Sequence, residues 1–292
     1  MKKKLAGFLL LTVIVSAATA QIDNFDVKTD IRWERDLIRI RVENHLNPEI
    51  FVIQEAKRQA GQEVGKAFPR ILLMALEPIV VNSKATVKDL VLNDLTYLNV
   101  IESLSQDAFL ENSYLSEDLT TLINEYSVNL YSDFTKIFVT HDTPIPIRPY
   151  LGYIAAEDYS AVVIVATGLL PVFGKSEAAA LQPALFPKLL SASGETLLSQ
   201  ENIDPAVLTE RGYVTYYPAD TELTEHEIGT RPLRILAAAV FGELHTDLVI
   251  RDDDAKKLLG RSANIELLKT GKIHILCNRE NLNLTLSAPL EK

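Results

Sequence analysis

A glycine-rich segment is the first candidate for chemistry in this chain. Residues 168–176, Gly-Leu-Leu-Pro-Val-Phe-Gly-Lys-Ser, follow a predicted strand, as a phosphate-binding loop does. Five residues separate the two glycines, whereas the Walker pattern has four, because the loop amides must converge on one phosphate. Pro171 also removes an amide from the loop. The sequence therefore predicts a surface loop that binds no nucleotide.

Acidic and histidine residues are the candidates for a metal site. Asp252, Asp253 and Asp254 supply the oxygen ligands that calcium prefers, but the alternating ligands and central glycine of a calcium loop are missing. We expect these aspartates to cap a helix and to meet the positive end of its dipole. His245 and Asp247 stand two residues apart, a spacing that could serve a metal but is more common for polar residues exposed to water. The sequence predicts no metal site and no cofactor.

No residue pattern marks a catalytic nucleophile. The Gly-x-Ser-x-Gly turn of serine hydrolases does not occur in the sequence. Cys277, the only cysteine, lies in an apolar strand pattern, where a thiol acts as a small core group. Tyrosines also cluster at two places, and we expect both clusters to pack in a core: Tyr213, Tyr216 and Tyr217, and Tyr150, Tyr153 and Tyr159. The sequence predicts no catalytic residues, with an unrecognised hydrolase as one alternative.

The first 20 residues have the features of a secretory signal. Lys2, Lys3 and Lys4 precede an apolar run that ends in Ala18-Thr19-Ala20. Such a basic start, short apolar core and Ala-x-Ala ending predict cleavage between Ala20 and Gln21 and a soluble periplasmic protein. Loss of the three lysines moves the formal charge from −10 to about −13, which disfavours nucleic acid and anionic lipid as partners.

Hydrophobic periodicity predicts an α+β fold. In the first part, residues 21–140, the alternation around Ile38, Ile40 and Val42 indicates a half-buried strand of a hairpin that turns near Arg35-Asp36. Apolar positions three or four residues apart then predict a helix over 53–75, which Pro69 should bend or split, and another over 87–104. Strand alternation returns at 126–130. The sequence predicts a helix-rich part flanked by strands.

A proline-rich segment divides the chain. Residues 141–149 contain three prolines, too many for a helix or a central strand. We expect an exposed connector here, followed by a small mixed-sheet α/β domain over 150–292. Its predicted strands are 161–166, a hairpin of 185–190 with 195–198 that turns at Gly194, then 212–217, 233–238, 248–251 and finally 272–278, with a short helix at 255–259.

The second half resembles the exported bacterial proteins grouped with the flagellar assembly lipoprotein FlgP and a small outer-membrane lipoprotein of gastric bacteria. The pieces that carry the resemblance follow one another over 160–278: Ala166-Thr-Gly168, Pro183-Ala-Leu-Phe-Pro-Lys188, Gly212-Tyr-Val-Thr-Tyr216, Arg231-Pro-Leu233 and His245-Thr-Asp-Leu-Val-Ile250. The resemblance implies a small α/β layer fold and an assembly role in the envelope, without catalysis. This chain lacks the lipid-bearing cysteine of those lipoproteins.

These observations favour a non-enzymatic periplasmic protein that acts by self-association or by docking onto envelope components, and the resemblance implies flagellar or motility structures as one setting. Strand edges within 160–278 are the expected docking surface, because they offer backbone pairing to another chain. A second hypothesis is a small-molecule carrier or sensor with a pocket between the two parts, since ligand sites favour domain junctions.

Overall fold

A computed structural model describes residues 25–153 and 157–288 of the chain. Its helices and several sheets confirm the expected α+β class. The predicted signal segment, with the cleavage site between Ala20 and Gln21, lies outside the described residues. Within the described residues, no helix combines the length and the apolar character that a bilayer span requires.

A five-stranded antiparallel sheet forms the first layer. In chain order its strands are β1 (Phe25–Arg32), β2 (Leu37–His45), β5 (Phe109–Leu115), β6 (Thr121–Asn129) and β17 (Asn283–Ala288), and their order across the sheet is β17-β1-β2-β6-β5. The predicted hairpin is present: β1 and β2 are joined by a short 3₁₀ turn and by Asp36, whose φ is 54°. Ile38, Ile40 and Val42 are buried, as their alternation predicts.

One face of this sheet, called the inner face below, is covered by helices. They are α1 (Ile53–Leu76), α2 (Val87–Asn93) and α3 (Thr96–Asp107), and the small hairpin of β3 (Val80–Asn82) and β4 (Ala85–Thr86) lies between α1 and α2. Pro69 does not split α1, which is continuous from Ile53 to Leu76. Val64 and Leu72, on either side of the proline, are buried in the same core. The helix predicted over 87–104 is in fact two helices. Asp94 separates them by accepting a hydrogen bond from the Thr96 amide, and Leu95 is consequently 69% exposed.

The second part contains two four-stranded sheets. The parallel sheet has the order β12-β16-β7-β13, from β7 (Val162–Ala166), β12 (Val214–Pro218), β13 (Leu233–Leu236) and β16 (Ile273–Cys277). The mixed sheet has the order β11-β10-β15-β14, from β10 (Leu189–Ser191), β11 (Thr196–Leu198), β14 (Ala239–Phe241) and β15 (Asp247–Ile250). The predicted hairpin at Gly194 is present, with φ at +85°. The remaining elements are β8 (Leu170–Pro171), β9 (Ala178–Ala179), α4 (Pro205–Arg211), α5 (Glu225–Ile228), α6 (Asp252–Leu259), α7 (Ser262–Lys269) and α8 (Arg279–Leu282).

The last described strand does not belong to a sheet of the second part. The sequence predicts 272–278 as the last strand, and this is wrong, because β17 follows it and pairs with β1 in the first sheet. The register runs from Val27 opposite Ala288 to Arg32 opposite Asn283. The division of the chain at the proline-rich segment stays a prediction. However, β17, which follows that segment, belongs to the sheet of the first part.

The two parts share one hydrophobic core. The Trp33 ring meets the Tyr216 ring edge to face at 5.8 Å, and the Tyr131 hydroxyl donates a hydrogen bond to the Val214 carbonyl at 3.3 Å. The carbonyls of Val80 and Val81 in β3 also accept hydrogen bonds from the next part, at 3.0 and 2.9 Å, from the amides of residues 185 and 186. Both apolar and backbone contacts therefore join the parts.

The proline-rich segment is exposed over most of its length, yet it is anchored at several points. The Ile145 amide donates to the Glu201 carbonyl at 2.7 Å, and the Asn202 side chain donates to the Ile145 carbonyl at 3.0 Å. Ile147 is buried. The segment is thus held along the surface of the second part.

Limited proteolysis tests how far the parts depend on one another. We expect the first cut within residues 142–149, where most side chains are exposed. Because β17 on the later fragment pairs with β1 on the earlier one, the nicked protein should still elute as one species on gel filtration and unfold in one transition. Separation of the fragments without denaturant would contradict a shared core.

Gly212 tests the contact between the parts. Its φ is +70°, and a Cβ at this position would lie 2.4 Å from the Tyr131 ring. We expect Gly212→Ala to lower the free energy of unfolding by more than the roughly 1–3 kcal/mol of backbone strain alone. Gly168→Ala is the matched control, since its φ is +71° and nothing lies within 4 Å of the added Cβ. Equal losses in the two variants, measured by denaturant titration, would mean that the ring moves aside freely.

Candidate docking surface

The glycine-rich segment does not have the geometry of a phosphate-binding loop. Residues 168–176 lead through the two-residue strand β8 into a hairpin with β9, so no helix follows directly. Leu169 is exposed, and Lys175 forms an ion pair with Glu177 at 3.0 Å. The Gly168 amide donates a hydrogen bond to the Asn278 side chain at 2.7 Å, which ties the end of β7 to the end of β16.

The three aspartates at the start of α6 lie in its first turn, but they do not cap its amides as expected. Position 251 is the N-cap residue, and no side chain caps the helix there. Asp253 and Asp254 form ion pairs with lysines one turn later, at 3.1 and 2.7 Å. Asp252 accepts a hydrogen bond from the Ser193 amide at 3.2 Å. Their contribution is electrostatic, through the helix dipole and these contacts.

Two of the candidate metal and thiol residues, Asp247 and Cys277, are buried. Asp247 is buried and accepts hydrogen bonds from the Lys188 amide and the Thr246 hydroxyl, at 2.9 and 3.2 Å. Burial raises the pKa of this carboxyl. In the part of the chain that the structure describes, no three His, Cys, Asp or Glu side chains are grouped as a metal would need. Cys277 is buried, and desolvation raises the pKa of its thiol to about 12.

The two tyrosine clusters differ in burial. Tyr213 and Tyr216 are fully buried, and their hydroxyls donate hydrogen bonds to the carbonyls of Pro187 and Ala184. They join the parallel sheet to the segment that leads into β10, as core residues. Tyr150 and Tyr153 lie outside the strands and are partly exposed, so the core interpretation is wrong for them.

Sequence reasoning missed a buried histidine. His274 lies in β16 on the face of the parallel sheet that α5 partly covers, beside Tyr217 with ring centroids 5.7 Å apart. Its side chain is buried, and among the described residues neither ring nitrogen has a hydrogen-bond partner. Burial lowers the pKa of His274, and Lys272 adds to this effect while Glu227 opposes it. A strand pattern reveals burial but gives no sign that a polar ring lacks a partner.

The five-stranded sheet ends in two edges of different character. At one end β5 carries Phe109 and Leu110 exposed, with a register irregularity between Leu110 and Asn112. Glu111 lies at this irregularity, 3.8 Å from Arg39 on the outer face of the sheet. A bulge and a charge are both devices that discourage a further strand from pairing with an edge.

At the other end, β17 has neither device. Its residues 283–287, Asn-Leu-Thr-Leu-Ser, carry no charge and no proline, and its pairing with β1 is regular over six residues. Leu284 and Leu286 share the inner face with Ile31 and Thr29 of β1, while Thr285 lies on the outer face. Among the described residues, no strand pairs with the outer side of β17. Its backbone groups on that side are available to a partner.

A hollow of about 430 Å³ lies beside the β17 edge, beneath the end of α1. Its walls are mostly apolar and include Val27, Met74, Ala75, Pro78 and Leu286. Glu77 and Lys88 also line it, 4.0 Å apart. Because strand addition gains affinity from the backbone and specificity from pockets for alternate side chains, this edge has both parts of such a site. We call β17 with this hollow the β17 docking surface.

The outer face of the sheet is polar rather than apolar. Arg41 lies between Glu43 at 2.7 Å and Glu125 at 3.6 Å, and the Tyr114 hydroxyl donates to Glu125 at 3.1 Å. A depression of about 300 Å³ on this face is lined by Arg41 and Glu125, among others. Exposed pairs of this kind contribute little stability. Their effect is to keep this face hydrated, so the inner side of the β17 edge is the more apolar one.

Comparison with known protein families identifies both halves of the chain. Residues 24–137 match the N-terminal domain of Treponema pallidum Tp0624, and residues 161–279 match the second domain of the same protein. The two matches together cover most of the chain, which is therefore similar to these two domains in the same order. Neither match is to the FlgP family. No curated protein matches the chain. The strand β17 lies outside both matched ranges.

The unpartnered ring of His274 predicts a pH dependence of stability. A histidine whose pKa is lowered by folding stabilises the folded state above its unfolded pKa of about 6.5, and this stabilisation is lost as the pH falls. We expect the free energy of unfolding of wild type to fall, relative to His274→Leu, by up to about 1.4 kcal/mol per pH unit below that value. Denaturant titrations from pH 7.5 to 5 measure this difference.

Two controls isolate the effect of His274. Burial raises the pKa of Asp36 to about 6, and this carboxyl changes stability in the opposite direction over the same range, so only the difference between variant and wild type is informative. His226→Gln, which removes an exposed histidine, is the matched control for the loss of an imidazole elsewhere on the same part of the chain. Parallel profiles for wild type and His274→Leu would contradict the assignment.

Proposed function

We propose that the chain is a non-enzymatic periplasmic protein that docks onto other envelope components, or onto itself, by adding a strand at the β17 docking surface. The observation that carries the proposal is an uncharged, regular strand at the end of a sheet, beside an apolar hollow. Export by the predicted signal would bring this surface into the envelope.

The β17 docking surface lies outside residues 160–278, where the sequence predicts docking at strand edges. There the edge strands are short: β11 and β14 have three residues each, β13 has four and β12 has five. Short edges give few backbone hydrogen bonds to a partner and are one way in which proteins avoid pairing. The six-residue β17 offers the longer unblocked edge.

A role in flagellar or motility structures is the finer form of this proposal. It rests on the resemblance of residues 160–278 to the FlgP group and not on the geometry of the edge. Under this form, deletion of the gene should alter motility or envelope architecture without removing a metabolic step.

A carrier is the second candidate, and a specific feature favours it. A groove of about 1060 Å³ runs between α1 and α3, over the stacked rings of Phe68 and Tyr126. It lies within the first part rather than between the two parts. Lys66 and Arg70 in its lining outnumber the one carboxylate there, Glu102, which suits an anionic amphiphile. Native mass spectrometry of protein from a periplasmic extract separates the two functions, because a carrier should retain a small-molecule mass.

Charged substitutions at the two sheet edges test docking directly. Leu286→Lys places a charge on the inner side of the β17 edge, where a partner strand would have to bury it. We expect this variant to lose most of its crosslinks to envelope proteins or to itself in living cells. Leu110→Lys makes the same change on the inner side of β5 and should keep them.

Melting temperatures of the purified variants show whether both remain folded. If crosslinks persist in folded Leu286→Lys, docking at β17 is wrong. Loss confined to Leu110→Lys would move the docking surface to the β5 edge.

A further inference from the structure

The β17 docking surface carries enough information to name its occupant. The inference rests on the proposed function and deepens it. We propose that the partner is a second copy of this chain, whose β17 pairs antiparallel with the first about a two-fold axis at Thr285, so that two five-stranded sheets join into one of ten strands. Such a closed interface uses the same patch on both copies.

The sequence of β17 is self-complementary in this register. Leu284 lies opposite Leu286 of the second copy, Asn283 opposite Ser287, and Thr285 opposite its own equivalent. Residues directly opposite in antiparallel strands point to the same face, so apolar side chains meet on the inner face and polar ones on the outer face. Thr–Thr pairs are among the cross-strand pairs that stabilise sheets.

Charge explains why two copies would meet at this edge. The chain has a formal charge of −10, so most surfaces of one copy repel those of another. Residues 283–287 are uncharged. The nearest carboxylate on the outer face is Asp30, opposite Thr285 in the register of β1 and β17. Across the axis the two Asp30 side chains would be three strand spacings apart, about 14 Å, which exceeds the screening length at physiological salt.

The hollow supplies room for the second copy. Leu286 lines it on the inner face, and in the proposed register Leu284 of the second copy stands directly beside Leu286. The same contact is repeated on the other side of the axis. Each copy would therefore cover the apolar wall, including Met74 and Pro78, that α1 of the other copy leaves open.

The other edge offers no equivalent arrangement. The irregularity between Leu110 and Asn112 interrupts the regular pairing of β5, and Glu111 at this point would have to approach a second acidic chain. Because β17 is regular and uncharged whereas β5 is neither, two copies would pair at β17 and not at β5.

A disulfide placed on the axis tests the proposal. In the full-length mature protein, Thr285→Cys brings two thiols together across the axis, and directly opposite residues in antiparallel strands have Cα atoms about 4.5–5.5 Å apart, within the range that a disulfide spans. We expect mild oxidation to convert most of this variant to a covalent dimer. Wild type is the first control, because its only cysteine, Cys277, is buried.

Asn283→Cys is the matched control on the same strand and face. Two such residues would lie four positions apart along the paired strands, about 13 Å, too far for a disulfide. The proportion of covalent dimer should be several-fold lower than for Thr285→Cys. Adding Leu286→Lys to Thr285→Cys should abolish the dimer, which distinguishes pairing from random collision.

Each outcome separates this inference from the proposed function. A dimer of Thr285→Cys that Leu286→Lys abolishes supports a second copy as the partner. No dimer, or equal dimer for Thr285→Cys and Asn283→Cys, overturns it. If Leu286→Lys still removes crosslinks to other envelope proteins in cells, docking at β17 survives with a different partner. If it removes none, the docking proposal fails as well.

Discussion

The pairing of β17 with β1 is the constraint on which the rest of the structure depends. It joins residues more than 250 positions apart, as Asp30 and Thr285 show, and it turns the second part into an excursion between β6 and the last strand of the same sheet. Closing such a long loop costs entropy that grows only slowly with its length. The single cysteine permits no internal disulfide that could reduce this cost. The cost is offset by the shared core around Trp33, Tyr131 and Tyr216.

The two edges of the sheet illustrate how local details decide what a surface can do. Both β5 and β17 have exposed backbone and leucines on the inner face, so length and hydrophobicity do not distinguish them. The regularity of the pairing and the charge of the side chains do distinguish the two strands. A one-residue irregularity and Glu111 make β5 a poor template, whereas the uniform register and neutral side chains of β17 leave it available. An acidic chain therefore keeps one neutral edge.

Much of the fold could be predicted from sequence because its signals are local. Alternation at Ile38, Ile40 and Val42, the apolar spacing of α1 and the glycine of the β10–β11 hairpin each report their own conformation. The strand β17 gives only a weak local signal. Its apolar positions Leu284 and Leu286 do alternate with polar residues, but the pattern is short and lacks β-branched apolar residues, and its partner lies at the other end of the chain. The same limit hid the docking surface, since an edge is defined by what does not pair with it.

The second part gains a positioning role from this topology. The short helix α8 connects β16 to β17, and its Leu282 is fully buried while Asn281 donates a hydrogen bond to the Leu181 carbonyl at 2.8 Å. The parallel sheet and α8 therefore fix where β17 begins, and the six residue pairs with β1 fix its register. A strand of this length at a sheet edge is weakly held by backbone pairing alone. Anchoring from the second part therefore holds β17 in place at the edge of the sheet. In this way the core shared by the two parts supports the edge through which the chain would meet its partner.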